Sequence, residues 1–268
     1  MRVSVRHVSH YRYEPPAERV AMRLKLYPSQ HDGQRRIEWR VSANGAPVPP
    51  ILTSGFGDEE GLWIAPDRSS SIEIVAEGVV EAEDCAGVVT GLPANPPAGV
   101  FLRDTPLTLA DATIAALAAE AEREEPLEEL HALGRLVKAR VAYERGATDA
   151  ATTAAKALSR GAGVCQDHAQ IFIAAARVRG HPARYVAGYL MAGEAGAEVF
   201  ETHAWAEAFV KGLGWVGFDP SHGISPTDRY VRLACGLDAA GAAPIRGSVL
   251  GGAQERMTAS VAISQLQQ

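Results

Sequence analysis

The chain has 268 residues, 47% of them hydrophobic and 22% charged, enough for one large domain or two modest ones and too apolar for disorder throughout. Its 26 Lys plus Arg against 32 Asp plus Glu leave a net charge of −6, so phosphate backbones find no net attraction and nucleic acid is not an expected partner. No stretch approaches the roughly 18 apolar residues of a membrane span, and the opening MRVSVRHVSHYRY carries cations every few positions in place of the apolar core of a secretory leader. Three scattered cysteines, Cys85, Cys165 and Cys235, make no disulfide framework, and a reducing, cytoplasmic address is expected.

The first hundred residues are predicted as strands, because apolar side chains recur with period 2. Val3, Val5, Tyr11 and Tyr13 alternate with Arg2, Arg6, His10 and Arg12; Val20, Met22, Leu24 and Leu26 alternate with Arg23 and Lys25; Ile37, Trp39 and Val41 alternate with Arg36, Glu38 and Arg40. Asn44-Gly45 marks a turn, Pro49-Pro50 interrupts the sheet, and Ile72, Ile74, Val79 and Val80 fall in one more strand. An antiparallel sandwich or small barrel follows. The Gly- and Pro-rich segment 86–106 then separates this region from one of helical periodicity, which places a boundary between a β domain, 1–100, and a second domain, 101–268.

In the second domain Thr108 and Asp111 have the form of a capping box, predicting a helix over 109–123. Pro126 suits the first turn of a second helix, with Leu127, Leu130, Val137 and Val141 on one face. A short helix near 152–159 ends at Gly161, and Cys165 to Arg179 is helical, closed by Gly180 and Pro182. The runs RYVAGYL, HAWAEAFV and GWVGFD are strands, and MTASVAI in the tail is a further strand whose sheet the pattern leaves open. The fold class is α+β, an N-terminal antiparallel β domain followed by an α+β domain.

Cys165 is the leading candidate nucleophile. It follows Gly161 and Gly163 and opens a helix whose body, IFIAAA at 171–176, is apolar enough to be buried. A helix N-terminus stabilises a thiolate, and the Cys165 backbone N–H faces a developing oxyanion. The alternative is a small residue packing a helix end. His203 begins a strand in which Trp205, Glu207 and Phe209 point the same way, as a packed core residue or a positioned base. Asp219 ends the next strand, 219 − 203 = 16 residues on. Pairing Phe209 with Leu213 sets Asp219 opposite His203, whereas pairing Val210 with Trp215 puts them on opposite faces; a structural turn aspartate is the other reading. Asp167 is read as complementing the helix N-terminus and tethering a loop. Cys165, Asp167, His168 and His203 are all possible metal ligands, but no CxxC or HExxH spacing supports a metal site, and neither metal nor cofactor is expected.

The blocks GVCQDHA at 163–169, ARYVAGYL at 183–190, THAWAEAFV at 202–210 and GWVGFDPSHG at 214–223 resemble the transglutaminase-like superfamily, and RHVSHYRYEPP with MRLKLYP resembles the β domain that precedes the catalytic domain in its bacterial members. The resemblance implies a papain-like α+β catalytic domain with a Cys, His, Asp triad, carried by motif position onto Cys165, His203 and Asp219. Its members include transglutaminases, peptidases and peptide N-glycanases, so acyl transfer is implied more narrowly than substrate. The expected activity is a cysteine peptidase or amidase working through a thioester on a peptide or protein substrate. Protein transglutaminase is the alternative, and a non-catalytic peptide-binding module a further one. Tyr185, Tyr189 and Trp205 are candidate lining residues of the acyl cleft. Gln166, Glu207, Ser221 and His222 lie nearby without an assigned role. Cys85 and Cys235, outside these blocks, are expected to be chemically ordinary.

Overall fold

The structure is a computed structural model that describes residues 1–94, 96–192, 199–252 and 254–265. Seven strands come first: β1 (Arg2–Ala17), β2 (Arg19–Leu24), β3 (Gln34–Ala43), β4 (Ala46–Pro47), β5 (Leu52–Thr53), β6 (Glu59–Ile64) and β7 (Ser69–Ala82). They are sorted into two facing sheets. One has the order β16-β1-β7-β3-β4 and the other β15-β2-β6-β5, where β15 (Ile245–Leu250) and β16 (Gln254–Gln265) come from the end of the chain. Val3, Val5, Tyr11 and Tyr13 are buried between the sheets with Val20, Met22 and Leu24, while Arg2, Arg6, His10 and Arg12 face water. The period-2 pattern therefore places these strands as expected, with one exception. A bulge between Arg36 and Glu38 leaves Ile37 out of the ladder and 46% exposed, because the extra residue resets the alternation.

A short strand β8 (Val88–Val89) leads through a turn of 3-10 helix, Ala98–Leu102, to α1 (Ala112–Glu120), α2 (Pro126–Arg140), β9 (Ala142–Tyr143), α3 (Ala154–Arg160), β10 (Ala162–Gly163) and α4 (Cys165–Val178). Then come β11 (Ala183–Ala192), β12 (Val199–Val210), β13 (Gly214–Phe218) and β14 (Tyr230–Gly236), which form one sheet in the order β14-β11-β12-β13-β8. α4 is buried from Asp167 to Arg177. It lies on the face of that sheet carrying Ala204, Ala206, Ala208 and Phe218, and α1, α2 and α3 pack around it.

One expectation is corrected here. Thr108 does not cap a helix starting at 109. Asp111 is the cap, accepting from the N–H groups of Thr113 and Ile114, both at 2.9 Å, and α1 begins at Ala112. Thr108 is instead drawn inward, where its hydroxyl accepts from Arg177 Nη1 at 2.7 Å. The division at residue 100 is also crossed by strand pairing. β8 adds to the edge of the sheet that carries His203, and the chain's last two strands return to β1 and β2. Tyr189, Val231 and Leu233 from β11 and β14 join the sandwich core, so the two layers share one apolar interface.

Candidate active site

Cys165 is the first residue of α4, and the approach to it is built by local constraints. β9 and β10 pair in parallel, Tyr143 against Gly163, with Glu144 N–H bonded to Gly163 O at 2.8 Å. The Asp167 carboxylate turns back to accept from Val164 N–H at 2.8 Å and from the Thr148 hydroxyl at 2.6 Å. That return path runs directly over Gly163: a Cβ there would stand 2.7 Å from Asp167 Cβ and Oδ2, so only glycine fits. Asp167 thus tethers the turn, and His168 does the same from the next position, with its two ring nitrogens 2.9 Å from Val164 O and Val141 O. Cys165, partly exposed, stands clear of both.

His203 and Asp219 meet on the sheet face opposite α4. The observed register pairs Phe209 with Trp215 and Ala206 with Phe218, which matches neither pairing weighed from sequence but keeps residues 203 and 219 on one face. His203 Nε2 lies 2.7 Å from Asp219 Oδ2. The other group acting on the ring is Cys165, which favours the charged imidazole as Asp219 does. Burial pushes the His203 pKa down, but the hydrogen bonds and charges of Asp219 and Cys165 outweigh it and raise the value to about 9. Burial likewise works against the Asp219 anion, yet the bonds from His203, His222 and Ser221 hold its carboxyl far below the usual range. At neutral pH the pair is an imidazolium on a carboxylate.

The remaining sequence candidates separate. Trp205 does touch the site, its ring 6.3 Å from that of His203 and nearly parallel to it. Tyr189 does not: it is fully buried in the sandwich core, its hydroxyl 2.9 Å from His7 Nδ1. Tyr185 is buried in the α4 layer, with Cys165 and Asp167 among the charges that act on its phenol. Neither tyrosine presents a surface to a cleft. Glu207 is fully buried between Arg184 and Arg232, its Oε2 2.6 Å from Arg184 Nε and its Oε1 2.9 Å from Arg232 Nε. Burial opposes its charge, and the two guanidinium groups overcome that to hold its pKa at about 2. This strut ties His203's strand to β14 and, through Arg232 Nη1 and the Ser29 hydroxyl at 3.1 Å, to the sandwich.

One contributor, Tyr230, escaped sequence reasoning, and another, His222, was named there without a role. His222 Nδ1 lies 2.8 Å from Asp219 Oδ2, and the Tyr230 hydroxyl donates to the same oxygen at 2.8 Å. Tyr230 sits on β14, a strand buried on both faces with no alternation to reveal it. Nitrogen and oxygen atoms of His203, Asp219 and His222 lie within 4.8 Å of one another, a spacing that mutual hydrogen bonding accounts for, while Asp167 and His168 are engaged with backbone and hydroxyl groups away from that cluster. A cavity of about 600 Å³ is lined by Tyr27, His31, Gln34 and Glu81 among others, and by none of Cys165, His203 or Asp219. Cys165 is partly exposed, and Tyr143, whose phenol it acts on, is 47% exposed.

A sandwich followed by a helix-on-sheet layer, with a cysteine heading the buried helix and a His–Asp pair on successive strands, defines the papain-like, transglutaminase-like class of α+β folds. The chain belongs to the transglutaminase-like superfamily: residues 115–220 match the model of that superfamily, and residues 3–81 match the bacterial transglutaminase-like N-terminal region. An uncharacterized protein of Mycobacterium leprae is 28% identical over 285 residues, spanning 99% of each chain, and one of Mycobacterium tuberculosis is 27% identical over 274 residues, spanning 92% of this chain and 87% of the relative. The fold matches the crystal structure of a candidate cysteine protease from Cytophaga hutchinsonii, with a TM-score of 0.77 at 21% identity over 100% of this chain and 92% of that one.

Proposed function

We propose that this protein is a cysteine-dependent acyl-transfer enzyme, a peptidase or amidase that cleaves peptide or side-chain amides through a thioester, with Cys165, His203 and Asp219 as its triad. The observation that carries the reading is the His203 ring bonded to Asp219 at 2.7 Å, with Cys165, the first residue of a buried helix, acting on the same ring.

The steps follow from the residue types. The Cys165 sulfur, its proton already held by His203, attacks the amide carbonyl, forming a C–S bond and an oxyanion that the Cys165 backbone N–H faces, since the first N–H groups of a helix have no intrahelical acceptor. The C–N bond breaks as the His203 imidazolium gives its proton to the leaving amine. Water then attacks the thioester, His203 takes up its proton, the C–S bond breaks, and the carboxylic acid leaves with the sulfur anion restored beside the imidazolium. Asp219 keeps the ring oriented and offsets its charge throughout. Partial exposure of Cys165 gives water a path to the thioester, which favours hydrolysis.

The test is product analysis on a peptide amide library with and without an added primary amine. The reading expects free acid and released amine in both arms. Transfer to the added amine as the main product would make it a transglutaminase, and no turnover with any amide would support a binding module.

A further inference from the structure

We infer that Tyr230 is a positioning residue of the site, acting through Asp219 to set how strongly the carboxylate holds the His203 imidazolium. The inference rests on the reading of His203 as the base. Asp219 accepts six hydrogen bonds. Oδ1 takes the Ser221 N–H at 3.0 Å, the Ser221 hydroxyl at 2.6 Å and the His222 N–H at 3.2 Å. Oδ2 faces His203 Nε2 at 2.7 Å, His222 Nδ1 at 2.8 Å and the Tyr230 hydroxyl at 2.8 Å. A carboxylate offers about four lone-pair sites, two to an oxygen, so the three donors on Oδ2 share its electron density. Whatever Tyr230 draws is withdrawn from His203.

The two rivals of His203 differ in what replaces them. The His222 side chain is 45% exposed, and water takes its place when the ring turns away. Tyr230 is buried, its ring edge-on to Trp205 at 5.4 Å and to His203 at 5.9 Å. The fold makes a specific opening for this arrangement. Gly188 on β11 lies between the strands of His203 and Tyr230, and a Cβ there would stand 2.6 Å from Trp205 Cη2 and 2.2 Å from Val231 O. Burial and the Asp219 charge hold the phenol protonated far above its ordinary range, with Arg229 acting weakly the other way. Tyr230 therefore donates at every pH where His203 titrates. The titratable groups facing His203 are Cys165 from α4, Asp219 and His222 from the turn after β13, and Tyr230 from β14.

The test is an NMR titration of the His203 ring in a Cys165→Ala background, where the thiol no longer titrates with it, comparing Tyr230, Tyr230→Phe and 3-fluorotyrosine installed at 230. Phenylalanine keeps the ring packing and removes the donor; the expected result is a midpoint raised by about one pH unit. The fluorinated phenol is a stronger donor and is expected to lower the midpoint, which supplies the opposite sign should the Phe variant not fold. With Cys165 present, Tyr230→Phe is expected to move the alkaline limb of turnover upward and to reduce kcat several-fold at unchanged KM. Midpoints unmoved by both replacements, or moved with the reverse signs, would overturn the inference. Because the titration needs no substrate, a failure to find an amide substrate leaves it standing.

Discussion

His203 keeps its proton because two partners outweigh its burial, and that balance has a sign that experiment can read. Its folded pKa of about 9 lies above the ordinary imidazole value of 6.5, so the stabilisation is fully present below pH 6.5 and lost as pH rises through 9. If the imidazolium is the form that protonates the leaving amine, kcat/KM should fall with an alkaline limb near pH 9. Asp219→Asn removes the larger support and leaves Cys165 alone to oppose burial, so the limb should move down by at least a unit; an unmoved limb in the pH–rate profile would show that Asp219 does not act on this ring. Removal of the three groups should be non-additive, because they act in sequence on one reaction coordinate. Cys165→Ala or His203→Ala is expected to cost several orders of magnitude in turnover, and Asp219→Ala somewhat less, since an unanchored imidazole still visits the working orientation. A double variant of Cys165 and His203 should be no slower than either single one.

At the scale of elements, strand β1 carries an acid-sensitive joint. His7 is 5% exposed, with its ring bonded to Tyr189 of β11 and to Ser9, and burial lowers its pKa from 6.5 to about 4. The unfolded chain therefore takes up the proton first, so stability is intact above pH 6.5 and is lost as pH falls toward 4, by roughly 3 kcal/mol at the limit. Denaturant midpoints between pH 7 and 4 should show this fall, and His7→Gln should flatten it; an equal slope in the variant would place the sensitivity elsewhere. Which elements were legible in sequence follows from what each must hide. Strands with one wet face, such as β1 and β2, announce themselves by alternation, and α4 by its apolar body. β14 is buried on both sides and holds Tyr230 and Arg232 among apolar neighbours, so no period marks it, and the residues it brings to Asp219 and Glu207 went unread. The same limit misplaced Tyr189. Offered from sequence as a cleft residue, it packs into the sandwich core, and a bulge at Ile37 turns outward a residue that alternation placed inward. Cys165, His203 and Asp219 were readable because each sits at an element's end or on a strand whose parity survives a two-residue change of register.

At the scale of the molecule, the sandwich and the α4 layer are one body joined by returning chain. β15 and β16 each complete a sheet begun by the first residues, and Tyr189, Val231 and Leu233 fill the core between those sheets. A fragment of residues 1–100 therefore lacks a strand on each sheet and part of its packing, and is expected to remain unfolded by circular dichroism. Deletion of 245–268 should expose two edge strands and yield protein that aggregates or is rapidly proteolysed. A stable, cooperatively unfolding 1–100 fragment would contradict this view and restore a division at residue 100.

The most direct measurement of the central claim is intact-mass analysis after brief exposure, at pH 6, to a peptide bearing a thiol-reactive electrophile in place of its scissile amide. Cys85 is exposed and Cys235 buried, so exposure alone favours Cys85, whereas an imidazolium beside the sulfur favours Cys165. The account predicts a single adduct, mapped to Cys165, that disappears in Cys165→Ala and forms far more slowly in His203→Ala. Labelling of Cys85 as fast as Cys165, or a rate at Cys165 indifferent to the loss of His203, would contradict it.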